Sequence, residues 1–471
     1  MLMKYSLLRK SSSGNDSGCL IAGILLLFLC MFFPFALAAA DKLIDKTSSS
    51  GLDYQVGRWR GFKKAAFTIT FDDNYRFQVV YATPLLNQHN YKATYFIVTN
   101  RVGKGWAPGW DTLNMLASEG HEIASHSKNH ADFLVLSQHP AWADSMIHEF
   151  RDSRDTINAR IPSKKCETFA WPNGALDTAA IVVGSNYYMA CRGTENEANP
   201  PDPVNFYNIY SQHIYHDTQL AEINGYIENV LGNGDWLVEH WHGFQVGNDT
   251  NGYEPVPIQV FSDHFDYVAQ KQDSLWITTL DTVVKYIRER DSSVLEFFDS
   301  TAYLLRFSLT NGLPDTLFHY SIPLSLKVRE FGNMSKVYRI SQGSITLPFM
   351  VTFEKGGYYL NFDALPNDSL IVMHLPDPAG IHDLIALNKG ALNYPNPFSS
   401  SSTLLFDLAV PENTDIRIFD KVGRVVKNYS KLYPGGRNSV EVKGEGFAPG
   451  IYNCVISTIE GTMNVRMVIL R

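Results

Sequence analysis

The chain is poor in cysteine, with 5 in 471 residues, and two of these, Cys19 and Cys30, fall within the first 40. The other three, Cys166, Cys191 and Cys454, form an odd set that permits at most one internal bridge. Only Cys166 and Cys191 lie in one predicted domain, so their pairing is left open, and a disulfide-built scaffold is excluded. Charge is sparse too, at 19% of residues against 45% hydrophobic, which excludes a disordered chain and predicts large cores. Tryptophan is missing after Trp276, all 8 lying between Trp59 and Trp276, and no helical pattern of convincing length follows Asp291. Two different kinds of architecture therefore share the chain, and a length prior of about 150 residues per domain suggests roughly three units.

Residues 1–40 carry Lys4, Arg9 and Lys10, then an apolar stretch from Cys19 to Phe35, then small residues up to Ala40. A basic start, an apolar middle and a small-residue end mark a secretory signal peptide, with no stable membrane span expected once it is cleaved. With Asp16 the segment is +2, so its removal takes the formal charge from -8 to -10. An acidic chain is a poor partner for nucleic acid or anionic lipid, and neutral or cationic polymers fit better.

From about Lys64 to Asp291, strand-like runs alternate with amphipathic stretches. The runs are Ala65–Phe71, Ala93–Val98, Glu122–Ser125, Thr168–Trp171, Tyr188–Cys191, Trp236–Trp241 and Trp276–Thr278. Helical periodicity falls in Phe77–Leu86, Trp110–Leu116 and Val260–Ala269, with Gly120 as a C-terminal cap. The alternation predicts an α/β fold on a parallel sheet, open or closed into a barrel. Polar residues collect at the ends of these runs: Asp72 and Asp73 after the first, His126 and His130 after the third, Pro172 and Asn173 after the fourth, Arg192 after the fifth, His242 after the sixth. Active sites of parallel α/β folds lie at the carboxyl ends of the strands, so these residues are expected to meet on one face.

Adjacent carboxylates in FTITFDDNY and histidines four residues apart in HSKNH supply two neutral nitrogens and one carboxylate for a metal, with one carboxylate left over. That set suits metal-assisted hydrolysis. Either motif alone is common on polar surfaces. Their joint occurrence at strand ends is specific.

TFDD at Thr70–Asp73 and HSKNH at His126–His130 resemble the first two motifs of the polysaccharide deacetylases, the NodB-homology family, over roughly residues 57–292. The resemblance implies a distorted (β/α) barrel of about seven parallel strands. It implies that Asp73, His126 and His130 hold one divalent ion, zinc first, with cobalt or another transition metal possible, and that Asp72 is the general base. The oxyanion is expected on the metal and a backbone N–H near Asn173. For the general acid, WLVEHWHGF offers His240 and His242; His242 is favoured because it ends the strand beside Gly243, with His240 as its neighbour or a core residue.

Two departures stand out. FAWPNG at Phe169–Gly174 resembles the third motif but has Ala170 where an arginine is usual and Asn173 where an aromatic is usual. Arg192 in MACRGT, at the end of the next strand, is the expected substitute. An Asp-Trp fourth motif is not found. Trp106, Trp171, Pro172, Asn173 and Arg192 are candidate substrate contacts, Trp106 because it sits between Gly105 and Pro108 in a loop, whereas Trp110 lies on an apolar stripe.

Residues 293–388 read as a small β-sandwich acting as an accessory or spacer domain, with only tyrosine and phenylalanine available for sugar stacking. Residues 389–471 read as a second sandwich. Tyr394, Pro395, Asn396, Pro397, Phe398, Gly423, the Gly450, Ile451, Tyr452 triplet and the terminal VRMVILR resemble the C-terminal sorting domain of the type IX secretion system. The resulting expectation is a signal peptide (1–40), a catalytic domain (41–292), a spacer (293–388) and a sorting domain (389–471) in a secreted or cell-surface deacetylase of acetylated polysaccharide. Its partners would be the glycan and the type IX machinery. The contrasting reading is a carbohydrate-binding or surface protein that kept the barrel without catalysis; a metallohydrolase of non-carbohydrate amides fits the ligands but not the tryptophans or the export.

Overall fold

The computed structural model describes residues 43–470 apart from 50, 203–204, 302, 315–317, 330–336, 355, 376–390, 409, 435 and 460. The expected signal peptide and the expected boundary at 388/389 lie outside the described residues. The strands of the first part are β1 (Leu43–Thr47), β2 (Asp53–Gly57), β3 (Ala65–Asp72), β4 (Ala93–Ile97), β5 (Glu122–Ser125), β6 (Thr168–Ala170) and β7 (Ala190–Arg192). They are followed by β8 (Gln212–His213), β9 (Trp236–Trp241), β10 (Phe244–Val246), β11 (Asp249–Asn251), β12 (Val256–Pro257) and β13 (Leu275–Ile277).

An all-parallel sheet runs β7-β6-β5-β4-β3-β9-β8, with β13 beside the start of β3. Ile209, just ahead of β8, bridges Arg192 at the end of β7, so the two edges are joined through irregular chain rather than a full strand. The fold is a distorted (β/α) barrel followed by small all-β sheets.

Side-chain alternation along β3 explains how it carries the site. Phe67, Ile69 and Phe71 point outward into the core shared with the surrounding helices, each fully buried and contributing about 2 kcal/mol. Ala66, Thr68 and Thr70 occupy the opposite, inner face, and the same period puts Asp72 inside at the strand's end. In β9, Trp236, Val238 and His240 share the inner side while Leu237 and Trp241 join the outer core. Small residues, Ala66, Ala124, Ala170 and Ala190, line the interior, and the helix Leu280–Ser292 contributes Leu280, Val283, Val284 and Ile287 to the same cluster. Its core is thus a closed plug below a polar upper end. Cys191 and Cys166 are buried in the outer core and, like Cys454, are free thiols, so the bridge left open by the sequence is not formed.

The sandwich after the barrel uses β14 (Ser293–Ser300), β15 (Leu304–Asn311), β16 (Leu324–Arg329), β17 (Arg339–Gln342), β18 (Ile345–Leu347), β19 (Phe349–Glu354), β20 (Gly357–Ala364) and β21 (Ile371–His374). Its sheets are ordered β1-β2-β16-β20-β19 and β14-β15-β21-β17-β18. The chain before the barrel, grouped with the barrel in the sequence reading, therefore pairs with the sandwich: β2 runs antiparallel to β16, and Tyr54 and Val56 are buried with Leu295, Phe307 and Leu326. Alternation in DYQVG offers one apolar face, and the sandwich supplies the surface that covers it.

The last part has the three strands Ala391–Tyr394, Ser401–Leu408 and Gly436–Lys443 in one sheet. Glu412–Phe419, Val425–Tyr433, Gly450–Thr458 and Gly461–Ile469 form the other. Phe398, Leu404, Phe406, Ile416, Ile418, Cys454, Ile456 and Met467 share one core. The Asn396 side chain donates to the Arg466 carbonyl (2.8 Å) and accepts from the Val468 N–H (2.8 Å), so the NPF segment is tied to the final strand.

Candidate active site

The residues expected from strand ends meet at one end of the barrel. A cleft of about 500 Å³ is lined by Asp72, Asp73, His130, Trp171, Asn173, His240 and His242, with Tyr75, Thr194, His213, Tyr215 and Tyr253. A larger, mainly apolar groove of about 1010 Å³ lies in the sandwich, lined by residues such as Phe349 and Met350, and holds none of this chemistry.

Asp72 is 3% exposed. Its Oδ2 accepts from Arg192 Nη2 and lies 3.9 Å from His126 Nε2 and 3.8 Å from His242 Nε2. Oδ1 is buried without a hydrogen-bond partner. Burial pushes this carboxyl up, but Arg192 first, then His126 and His242, outweigh it and hold it at about 2. Arg192 is itself fully buried, lies over the Phe96 ring at 5.2 Å and donates from Nη1 to the Gly193 carbonyl at 3.1 Å. It is the direct cross-strand partner of Ala170. The guanidinium therefore enters from the neighbouring strand on the face that Ala170 leaves empty.

Asp73, His126 and His130 each present a ligand atom within 4.8 Å of the others. His126 Nδ1 pairs with the Ala170 carbonyl at 2.9 Å, which fixes that nitrogen as the donor and leaves Nε2 as a lone pair. Burial lowers the His126 pKa to about 4 and lowers that of His130 against the pull of Asp73, so both are neutral at pH 7. His130 Nε2 lies 3.4 Å from Asp73 Oδ1, an oxygen that also accepts from Arg101 Nη1 at 2.5 Å. Two neutral imidazoles, a carboxylate and the orphaned Asp72 Oδ1 fit a divalent ion with a water beside it. Five of the ten non-glycine residues with left-handed backbone among the described residues belong here: Asp73, Asn74, Ser127, His130 and Asn173. Such conformations cost about 1–3 kcal/mol each and concentrate where function fixes them.

His242 follows β9, with its side chain 13% exposed and its Nδ1 buried and unpaired. Burial, outweighing Asp72, lowers its pKa. His240 is deeper, pairs through Nδ1 with Ser211 Oγ at 2.9 Å, and is held well below the usual range by burial and then Arg192. The Gln78 side chain donates to the carbonyls of both Asp72 (2.7 Å) and His242 (2.8 Å), clamping the two strand ends together. Gly243 permits the next layer: a Cβ there would lie 2.7 Å from the Asn251 carbonyl oxygen and 2.8 Å from that of Tyr253. Its N–H donates to Tyr253 O at 2.8 Å, and the Tyr253 ring stands edge-on to His242 at 5.4 Å.

The expected substrate contacts divide. Asn173 is exposed at the cleft and Pro172 is buried beneath it. Trp171 reaches the cleft but is 1% exposed, packed edge-on against Phe133 and Phe169 with Nε1 donating to the Tyr207 carbonyl. Trp106 is 41% exposed and lies outside the lining, against Tyr75 at 5.0 Å. Sequence reasoning missed Arg101, Gln78, His213, Tyr215 and Tyr253. Arg101 follows the end of β4, so the strand-end rule that found Arg192 reaches it as well.

Residues 60–190 match the family model for polysaccharide deacetylase, and residues 393–470 match that for the secretion system C-terminal sorting domain. The chain thus combines a polysaccharide deacetylase domain with a type IX sorting domain, which directs it to the cell surface or the extracellular space. A gellan lyase of a Bacillus species is 27% identical over 400 residues, which is 79% of this chain but 15% of that protein's length. Among solved structures, a Streptococcus pyogenes deacetylase in complex with acetate is 18% identical with a TM-score of 0.30, covering 33% of this chain and 67% of that one. The Xyl-CE4 domain of a multidomain xylanase from the hindgut metagenome of Trinervitermes trinervoides is 15% identical with a TM-score of 0.31, covering 46% of this chain and 89% of that one. No helix of the described residues is long and apolar enough to cross a membrane.

Proposed function

We propose that the chain is an exported metal-dependent deacetylase that hydrolyses N- or O-linked acetyl groups on a polysaccharide. Asp73, His126 and His130 hold one divalent ion, zinc first. The bound ion supplies an acidified water and a polarised acetyl carbonyl. Asp72 takes the water's proton at its free Oδ1, while Arg192 keeps the carboxylate ionised and aimed. His242 Nε2, 3.8 Å from the Asp72 carboxyl, receives the proton that Asp72 has taken from the water and delivers it to the departing amine or alkoxide. Gly174 and Ala175 direct their N–H groups to the Trp171 and Pro172 carbonyls, so the N–H of Asn173 is the backbone donor assigned to the oxyanion. Tyr215 and Tyr253, 38% and 55% exposed at the cleft, are assigned to sugar stacking, with Trp106 on the outer rim.

The observation that carries this reading is the ionised, buried Asp72 held between His126 and His242 beside the Asp73 set. A protein that only binds glycan has no use for a desolvated carboxylate clamped by a buried arginine. The named activity of the gellan lyase is not carried over, because the shared portion is 15% of that protein. Within the proposal, residues 60–292 are the catalytic unit, the sandwich is a spacer completed by 43–57, and 389–471 is the sorting unit. Zinc-loaded protein is expected to release acetate from at least one of acetylated xylan, chitin oligomers and peptidoglycan. No release from any of them, with zinc bound, favours a binding protein.

A further inference from the structure

A second group of imidazoles adjoins the proposed metal set and shares no residue with it. His213, His240 and His242 each present a ring nitrogen within 4.8 Å of the other two. Their rings lie close, His213 at 4.3 Å from His240 and 4.9 Å from His242. His213 Nε2 and His242 Nδ1 are both buried, and neither has a hydrogen-bond partner. Leaving a buried polar atom unpaired costs about 1–3 kcal/mol, and two such nitrogens in one cluster point to something that joins them. His240 Nδ1 is committed to Ser211, which leaves its Nε2 as the third donor. Arg192, the nearby cation, is already paired with Asp72, which offsets its repulsion of a second positive charge.

We propose that His213, His240 and His242 form a second divalent-metal site, a three-imidazole set of the kind that binds zinc with an open fourth position. Asp72 lies between the two sites, with a histidine of each within 4 Å of its Oδ2: His126 at 3.9 Å and His242 at 3.8 Å. The second ion takes His242 through Nδ1, the nitrogen facing away from that contact. It therefore withdraws His242 from proton delivery, and zinc beyond one equivalent inhibits the reaction that the first equivalent enables.

The site is tested on the whole chain, stripped with chelator and titrated with zinc alone, using calorimetry and elemental analysis after gel filtration. Two zinc ions per wild-type chain are expected, one in His213→Gln, one in His130→Gln and none in the double variant. X-ray absorption of the wild type as the second equivalent is added should show, for that ion, a shell of three imidazole nitrogens and one solvent oxygen, a readout that needs no variant to fold. One zinc in the wild type, two in His213→Gln, or an oxygen-dominated shell for the second ion overturns the site. None of these readouts depends on turnover, so they stand or fall separately from the deacetylase reading.

Discussion

Asp72 is useful as a base only if it stays charged where water is scarce. A carboxylate buried alone protonates. Here burial is opposed by Arg192, and the balance settles at about 2. Removing the guanidinium leaves burial in control, so the carboxyl pKa rises and the acid limb of the rate profile moves to higher pH. Arg192→Ala is therefore expected to lower kcat tenfold or more at pH 7 and to shift that limb upward, with Arg192→Lys intermediate because it keeps charge and loses the planar fork. A pH–kcat profile measured with acetylated substrate checks both; unchanged profiles would leave Arg192 a structural cation. Asp72, Asp73, His126 and His130 were readable because their types and spacing carry the chemistry, and Arg192 because it ends a strand. His213 was not readable, since a two-residue strand, Gln212–His213, gives no period to place it. Trp171 is expected as a substrate contact because it ends the fourth run; it lines the cleft, but its ring packs edge-on against Phe133 and Phe169.

At the scale of elements, period-two alternation does the positioning. In β3 and β9 the same pattern that sends phenylalanine, leucine and tryptophan outward turns Asp72, His240 and the residue after the strand toward the barrel interior. In the barrel, β3, β4 and β9 match the expected runs within a residue, and the helices Trp110–Ser118 and Ile258–Ala269 match theirs within two, whereas β1 and β2 are not among the expected strands. The short hairpin of β10 and β11 was not, because its three-residue strands are half polar. The hairpin and the loop after it close against Gly243. Replacing that glycine, Gly243→Ala, forces a methyl into the carbonyls of Asn251 and Tyr253 and should displace Tyr253 from His242. The expected result is a rise in KM of several-fold with a drop in kcat, while the melting temperature falls by only a few degrees. Steady-state kinetics with calorimetry measures this, and wild-type KM in a folded variant contradicts the placement of Tyr253 at the substrate.

Over the whole molecule, chemistry and delivery are assigned by the proposal to different parts of the chain. Acidic composition, a barrel with one polar end and a terminal sandwich whose NPF segment is pinned to the last strand suit an enzyme that works on external glycan. Deleting residues 389–471 is expected to leave the barrel folded and to hold the protein in the periplasm, as followed by fractionation; undiminished surface delivery would contradict the role of that segment. Pairing of β2 with β16 was hidden from the sequence because strand partners 270 residues apart leave no local trace. The catalysis proposed for the barrel depends on Asp72 acting as the base of a metal-assisted deacetylation. It is tested most directly by acetate release from the zinc-loaded Asp72→Asn variant beside the wild type, with bound zinc counted in both. Zinc is expected to stay bound while kcat falls by about 10²–10⁴-fold; equal rates with equal zinc would rule out Asp72 as the base.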